Sequence, residues 1–488
     1  MNLGWLDISI CLGYLALVFM IGLWCSRAQS NNDDYFLGGR RMHWFPIGLS
    51  IFAGTFSSLS FVGLPRDAAY EDYHLFLGIL FIPVVVMPIV GWYFLPLYHR
   101  LGATSPYEYL EQRFNRKIRL LASVLFMLYS IGWMGSLLVA VGKILQVVLD
   151  LSATQTIGML VAVGLFATFY TALGGVKAVV WTDALQAFAL GGGMLAVLVL
   201  AVAHVEGGFP EVVTIGNQHD KFAMFRMELD FAEGNFFAAV AFGFFVYLAG
   251  HAVHFTAVQR YMSMPGLREA RWALVVNGVM VAAVCLVFFL VGTTLFAFYQ
   301  QSSDPIFHQL ETEQRGDQLL PYFVLHEMPE YGLTGLLLAG LFAAAMSSMD
   351  SGINSSTATV VCDWYAGQDL GVRQSRILTG AFGLAAILVS LVINELGGPI
   401  FRKIMAIAGT FLGPLLGIFM LGLLNRRAGP SSVVAGFVAG MTCWAVAKSF
   451  GMSDWWDGAV TSTTTLLAGW LVSLAVPAHQ PEPDPIQA

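Results

Sequence analysis

The sequence predicts an all-α, polytopic membrane protein with about thirteen transmembrane helices, and three observations carry that expectation. Of the 488 residues, 57% are apolar and only 11% charged, whereas an ordinary soluble domain carries about 25% charged residues. Apolar runs such as 179–203 and 272–298 recur along the chain, and about 20 such residues cross a bilayer as a helix. Basic residues concentrate in alternate connections, the asymmetry that orients a multi-span chain. The 24 Lys and Arg against 31 Asp and Glu leave a net charge of −7 and no basic stripe, which excludes a phosphate-neutralising nucleic-acid surface.

A window of about 19 residues places the spans at 5–25, 43–64, 75–98, 119–149, 155–173, 178–204, 235–256, 271–299, 331–362, 375–394, 399–424, 430–449 and 456–477. The first is retained rather than cleaved, because residues 1–20 contain no Lys or Arg and a cleavable leader needs a positive start. The second is unusually rich in Gly, Ser and Thr, the fourth carries Lys143, the sixth carries Asp183, and the ninth ends in a polar run. With the N-terminus outside, sixteen basic residues, Arg119, Lys177 and Arg260 among them, fall in inner connections; seven, including Arg226, Arg402 and Lys403, fall in outer ones. The expected placement is therefore a multi-pass cell-membrane protein with an external N-terminus and a cytoplasmic C-terminus. Cys11, Cys25, Cys285, Cys362 and Cys443 are scattered singly, without a disulfide framework or metal-ligand spacing. The tail after Val476 is short and Pro-rich, so no appended soluble module is expected.

The informative residues are the polar groups at membrane depth, where each needs a partner. Asp183 follows Trp181 and Thr182; it either pairs with Lys177 near the inner helix end or lines an ion path. Asp350 lies among Ser347, Ser348, Ser351, Asn354 and Ser355, a set of oxygen ligands at helical spacing. Such hard ligands suit a small cation, although serine-rich stretches also promote close helix packing. Lys143 is expected to snorkel outward, or else to pair with a substrate anion. From Ser50 to Pro65 helix propensity is poor. A break there would turn backbone carbonyls toward a cavity; the alternative is an intact helix with a small-residue packing face.

Three stretches, in order, resemble the sodium:solute symporter family: 104–114 (Thr-Ser-Pro-Tyr-Glu-Tyr-Leu-Glu-Gln-Arg-Phe), 170–183 (Tyr-Thr-Ala-Leu-Gly-Gly-Val-Lys-Ala-Val-Val-Trp-Thr-Asp), and 343–357. The resemblance implies a leucine-transporter type of fold with two inverted five-helix repeats. One repeat would span 43–204 and the other 235–424, with 1–42 peripheral and 430–477 adding two outer spans. It also implies sodium as the coupling ion, held by the carbonyls of Ala53, Phe56 and Ala344 and the hydroxyls of Ser347 and Ser348. A second sodium site in some members maps to Asp183, Ser347, Asp350 and Ser351, where the carboxylate at 350 departs from the usual hydroxyl. Segments 56–65 and 413–417 look more like the iodide, monocarboxylate and multivitamin branch than the sugar branch. The implied activity is sodium-driven uptake of a small organic solute, best matched by a carboxylate or other small anion, with amino acids or sugars as alternatives. Thr55, Ser57, Tyr247, His251 and His254 are the candidate solute contacts. No enzyme chemistry is expected; a non-transporting membrane solute sensor is the rival class.

Overall fold

The computed structural model describes residues 4–476 apart from 28, 30, 226, 228, 229, 232–234, 303, 329–331, 369 and 396–399, with backbone alone at 400–406. Arg226, the side chains of Arg402 and Lys403, and the tail after Val476 lie outside the described residues. Helix accounts for 85% of the structure, and no strand occurs among the described residues.

Among the described residues, ten helices are long and apolar enough to cross a membrane, and two bent pairs raise the number to twelve. The single helical stretch Ala153–His204 supplies one more. Its 52 residues would extend about 78 Å if straight, against a hydrocarbon core of about 30 Å. Gly175 interrupts it with φ 55° and ψ −156°, a conformation that strongly favours glycine. A Cβ there would stand 2.6 Å from the Tyr35 carbonyl oxygen. Tyr170 and Thr182, on opposite sides of Gly175, both donate to Asp350 Oδ2, at 2.7 and 3.3 Å. A straight helix would separate those residues by about 18 Å, so the chain doubles back into fifth and sixth spans, for thirteen crossings in all.

The remaining spans are Trp5–Ser26, the second as Trp44–Thr55 with Ser58–Tyr70, His74–Leu101, Arg116–Val148, the seventh as Phe236–Ala252 with Phe255–Met262, Leu267–Gln301, Leu333–Trp364, Val372–Glu395, Ile400–Leu424, Pro430–Ser449 and Asp454–Ala475. The ninth, Leu333–Trp364, is the axis of the bundle: 94% of its apolar window is buried, against 22% for the first and the twelfth. Asp7 nevertheless ties the first span to that axis by accepting a 2.7 Å bond from the Gly335 N–H.

Three cations sit differently from the sequence expectation. Arg260, counted with an inner connection, is 1% exposed inside the helix Phe255–Met262. Arg119 is also buried, because Asp363 and Glu111 bind its guanidinium at 2.8 and 2.5 Å. Lys177 bridges to Asp34 at 3.7 Å rather than to Asp183. Lys143 is exposed, as snorkelling requires.

Candidate ion and solute site

The second span bends by 65° between Thr55 and Ser58. Phe56 (φ −95°, ψ 116°) and Ser57 (φ −103°, ψ 173°) are extended, so the carbonyl of Phe56 stands outside both helical ladders. The Ser57 N–H turns to Ser60 Oγ at 3.4 Å, leaving the Ala53 carbonyl without the usual partner four residues on. That carbonyl accepts instead from Ser347 Oγ at 3.1 Å. Ser347 and Ser348 also donate to the Ala344 carbonyl, at 3.2 and 3.4 Å. Four of the five expected sodium oxygens are thus joined in one chain of hydrogen bonds, and Phe56 lies at the break three residues after Ala53. Carbonyl and hydroxyl oxygens converging at a helix interruption suit a small hard cation.

One helical turn away, toward Ser50 and Ser351, the chemistry changes. Asp183 is fully buried, and its Oδ2 accepts from Ser50 Oγ at 2.5 Å and Arg260 Nη2 at 3.2 Å. Arg260 also donates to Ser50 Oγ at 2.7 Å and Ser351 Oγ at 2.6 Å. This guanidinium therefore joins the second, sixth, seventh and ninth spans. Asp350 is equally buried but has no cation beside it in hydrogen-bond reach: Tyr170 and Thr182 serve Oδ2, while Oδ1 has no partner. Asp183 and Asp350 are thus brought close through the ninth span, with Arg260 on the Asp183 side only.

A cavity of about 200 Å³ opens at the break, and Thr55, Ser57, Tyr247, His251 and His254 all line it. Not all present free polar atoms. Thr55 Oγ1 bonds back to the Ile51 carbonyl at 2.9 Å, and His251 Nδ1 lies 2.9 Å from the Tyr247 carbonyl. The His254 ring packs edge-on against Phe126 and Tyr129, at centroid separations of 4.8 and 5.1 Å, and its Nε2 has no partner. Sequence reasoning missed Ser60, Asp67, Trp133, Arg260 and Trp455 in the lining. Ser60 shares the polar run of the break and could have been found there. The other four come from positions with no local signal.

The sequence profile of the sodium:solute symporter family matches residues 35–440. The chain belongs to this family. It is 31% identical to the sodium/sialic acid symporter NanT of Aliivibrio fischeri, over 97% of this chain and 94% of that one. Identity to the sodium/sialic acid symporter SiaT of Proteus mirabilis is 30%, covering 98% and 97%. The human sodium/iodide cotransporter is 32% identical over 88% of this chain and 68% of its own length. A substrate-bound, outward-open Na+-coupled sialic acid symporter superposes with a TM-score of 0.89 at 29% identity, covering 98% of this chain and 99% of that one. The nucleobase-cation symporter Mhp1, at 13% identity and a TM-score of 0.52, shares the fold alone. This family member is a multi-pass, sodium-coupled symporter of a small organic solute with a leucine-transporter type of fold, and members of the family are transporters rather than enzymes.

Proposed function

We propose that this symporter carries a small carboxylate-bearing solute, of the sialic acid class, into the cell together with sodium held by Ala53, Phe56, Ala344, Ser347 and Ser348. The observation that carries the reading is that the sodium oxygens and the solute cavity share one segment, 53–57, at the break of the second span. An ion there ties the broken helix to the ninth span and orders Ser57 beside the solute. Such sharing is what makes occupancy of the two sites interdependent, and coupling requires that interdependence. The sodium gradient, plus about 2.3 kcal/mol per charge per 100 mV of membrane potential, then drives uptake.

Two features support a carboxylate. Relatives matching nearly the whole chain carry sialic acid, a sugar acid. The half-helix Ser58–Tyr70 begins at the cavity, and the first N–H groups of a helix, at its positive end, favour an anion. Arg260, the cavity's arginine, is committed to Asp183, which favours a neutral amino acid or sugar as the second reading. The same scheme takes 43–204 and 235–424 as the inverted repeats, with the N-terminus outside.

Sodium-driven counterflow in proteoliposomes, challenged with sialic acid, monocarboxylates, amino acids, vitamins, inorganic anions and hexoses, tests the substrate class. Inhibition by carboxylates is expected. A hexose competing at micromolar level with carboxylates inert would overturn it.

A further inference from the structure

Away from the transport path, a groove of about 710 Å³ lies between the start of the fourth span and the start of the twelfth. By parity of crossings both helices start on the same side of the membrane, the side that the basic excess makes inner. Its walls are apolar: Ile118 on one side, Val434, Ala435 and Val438 on the other. Val434 and Val438 are 48% and 55% exposed, so this face of the twelfth span is uncovered by the rest of the bundle.

The head end is polar and cationic. Lys117, Asn115 and Ser431 line it, and no acidic residue does. Lys117 is exposed and has no hydrogen-bond or ion-pair partner among the described residues. The same holds for the side chains of Arg426 and Arg427, in the connection leading into Pro430. That connection is held against the fourth span's entrance by Arg113, which donates to the Gly422 and Asn425 carbonyls at 3.2 and 2.7 Å. Lys117 in the groove's lining, with Arg426 and Arg427 four and three residues before its Pro430 in the chain, beside an apolar trough forms the complement of an anionic headgroup with its acyl chain.

We propose that this groove binds an anionic phospholipid of the inner leaflet, headgroup phosphate on Lys117, Arg426 and Arg427 and one acyl chain along Val434 and Val438. Phosphate charge without the chain would leave the trough empty, and a neutral lipid would leave the cations unmatched. The bound lipid would brace the twelfth span against the fourth without entering the transport path.

Full-length protein, stripped of lipid in detergent, is mixed with dioleoyl phosphatidylglycerol or dioleoyl phosphatidylcholine, and retained lipid is counted by native mass spectrometry. Phosphatidylglycerol should be retained at least tenfold better. The K117Q/R426Q/R427Q variant, exposed positions that fold without these charges, should lose that preference. Ala435→Trp, which fills the trough and keeps the charges, should lower retention of both lipids. Equal retention of the two lipids, or unchanged preference in the charge variant, overturns the site. So does displacement by millimolar inorganic phosphate, or disulfide cross-linking between two copies of a Val434→Cys variant on this face.

Discussion

The second and seventh spans both break, by 65° and 49°, yet they deliver opposite chemistry. The second breaks where Phe56 and Ser57 are extended, so it releases carbonyls and a helix N-terminus toward the cavity. The seventh breaks at Val253 and His254, and its second half carries Arg260 to Asp183, a fixed cation on a fixed anion. One break leaves oxygen ligands open for a mobile ion. The other closes a charge pair. A buried carboxylate in a transporter is therefore not by itself an ion ligand; what decides is whether a side-chain cation already stands on it.

The largest effect should come from unbalancing the closed pair. Arg260→Met leaves Asp183 buried and uncompensated, at a cost of about 3–5 kcal/mol. A large loss in thermal stability in detergent is expected, partly recovered by adding Asp183→Asn. A single variant as stable as the parent would show that Asp183 has another partner and that the two breaks are not opposites.

Next come the open oxygens. Ser347→Ala and Ser348→Ala each remove one proposed sodium ligand, and a hydrogen bond or dipole contact to a charged group contributes about 1.5–3 kcal/mol. Half-saturating sodium should rise roughly tenfold or more, since about 1.4 kcal/mol is a factor of ten, with membrane insertion intact. Unchanged sodium dependence in both would remove the site from Ala53 and its neighbours.

Asp350 sharpens the comparison, because Arg260 serves Asp183 and no side-chain cation stands within hydrogen-bond reach of Asp350, while each carboxylate keeps one buried oxygen without a partner among the described residues. Of the proposed second-site set, Asp350 is the carboxylate without a cation partner. Asp350→Asn should lower the Hill coefficient for sodium, and an unchanged coefficient would return Asp350 to bracing Tyr170 and Thr182. The smallest effects are expected at the cavity hydroxyls. Ser57→Ala should weaken the solute a few-fold at saturating sodium. Thr55→Ala should change it less, because that hydroxyl is spent on the Ile51 carbonyl.

How much of this was legible depended on whether a signal was local. The break at 56–57 was one of two readings of the run of Gly, Ser and Thr, where Ser and Thr compete with the helix through side-chain hydrogen bonds and Gly through its backbone freedom. The connection expected at 174–177 between the fifth and sixth spans contains Gly175, where the structure turns. The ion ligands came through the family resemblance, since backbone carbonyls carry no residue signature of their own. The seventh break was invisible, because Ala252 and Val253 continue an apolar run. Arg260 misled for the same reason: after an apolar stretch it read as a loop cation, and its counterion lies 77 residues earlier in sequence. Trp133 and Trp455 reached the cavity from helices whose local sequence is ordinary.

The most direct test of the account is uptake of labelled sialic acid into proteoliposomes under an inward sodium gradient, comparing the parent with Ser347→Ala. The account predicts concentrative uptake that vanishes when potassium replaces sodium, and a variant whose half-saturating sodium is about tenfold higher. Uptake equally fast in potassium, or identical sodium curves for parent and variant, would contradict it.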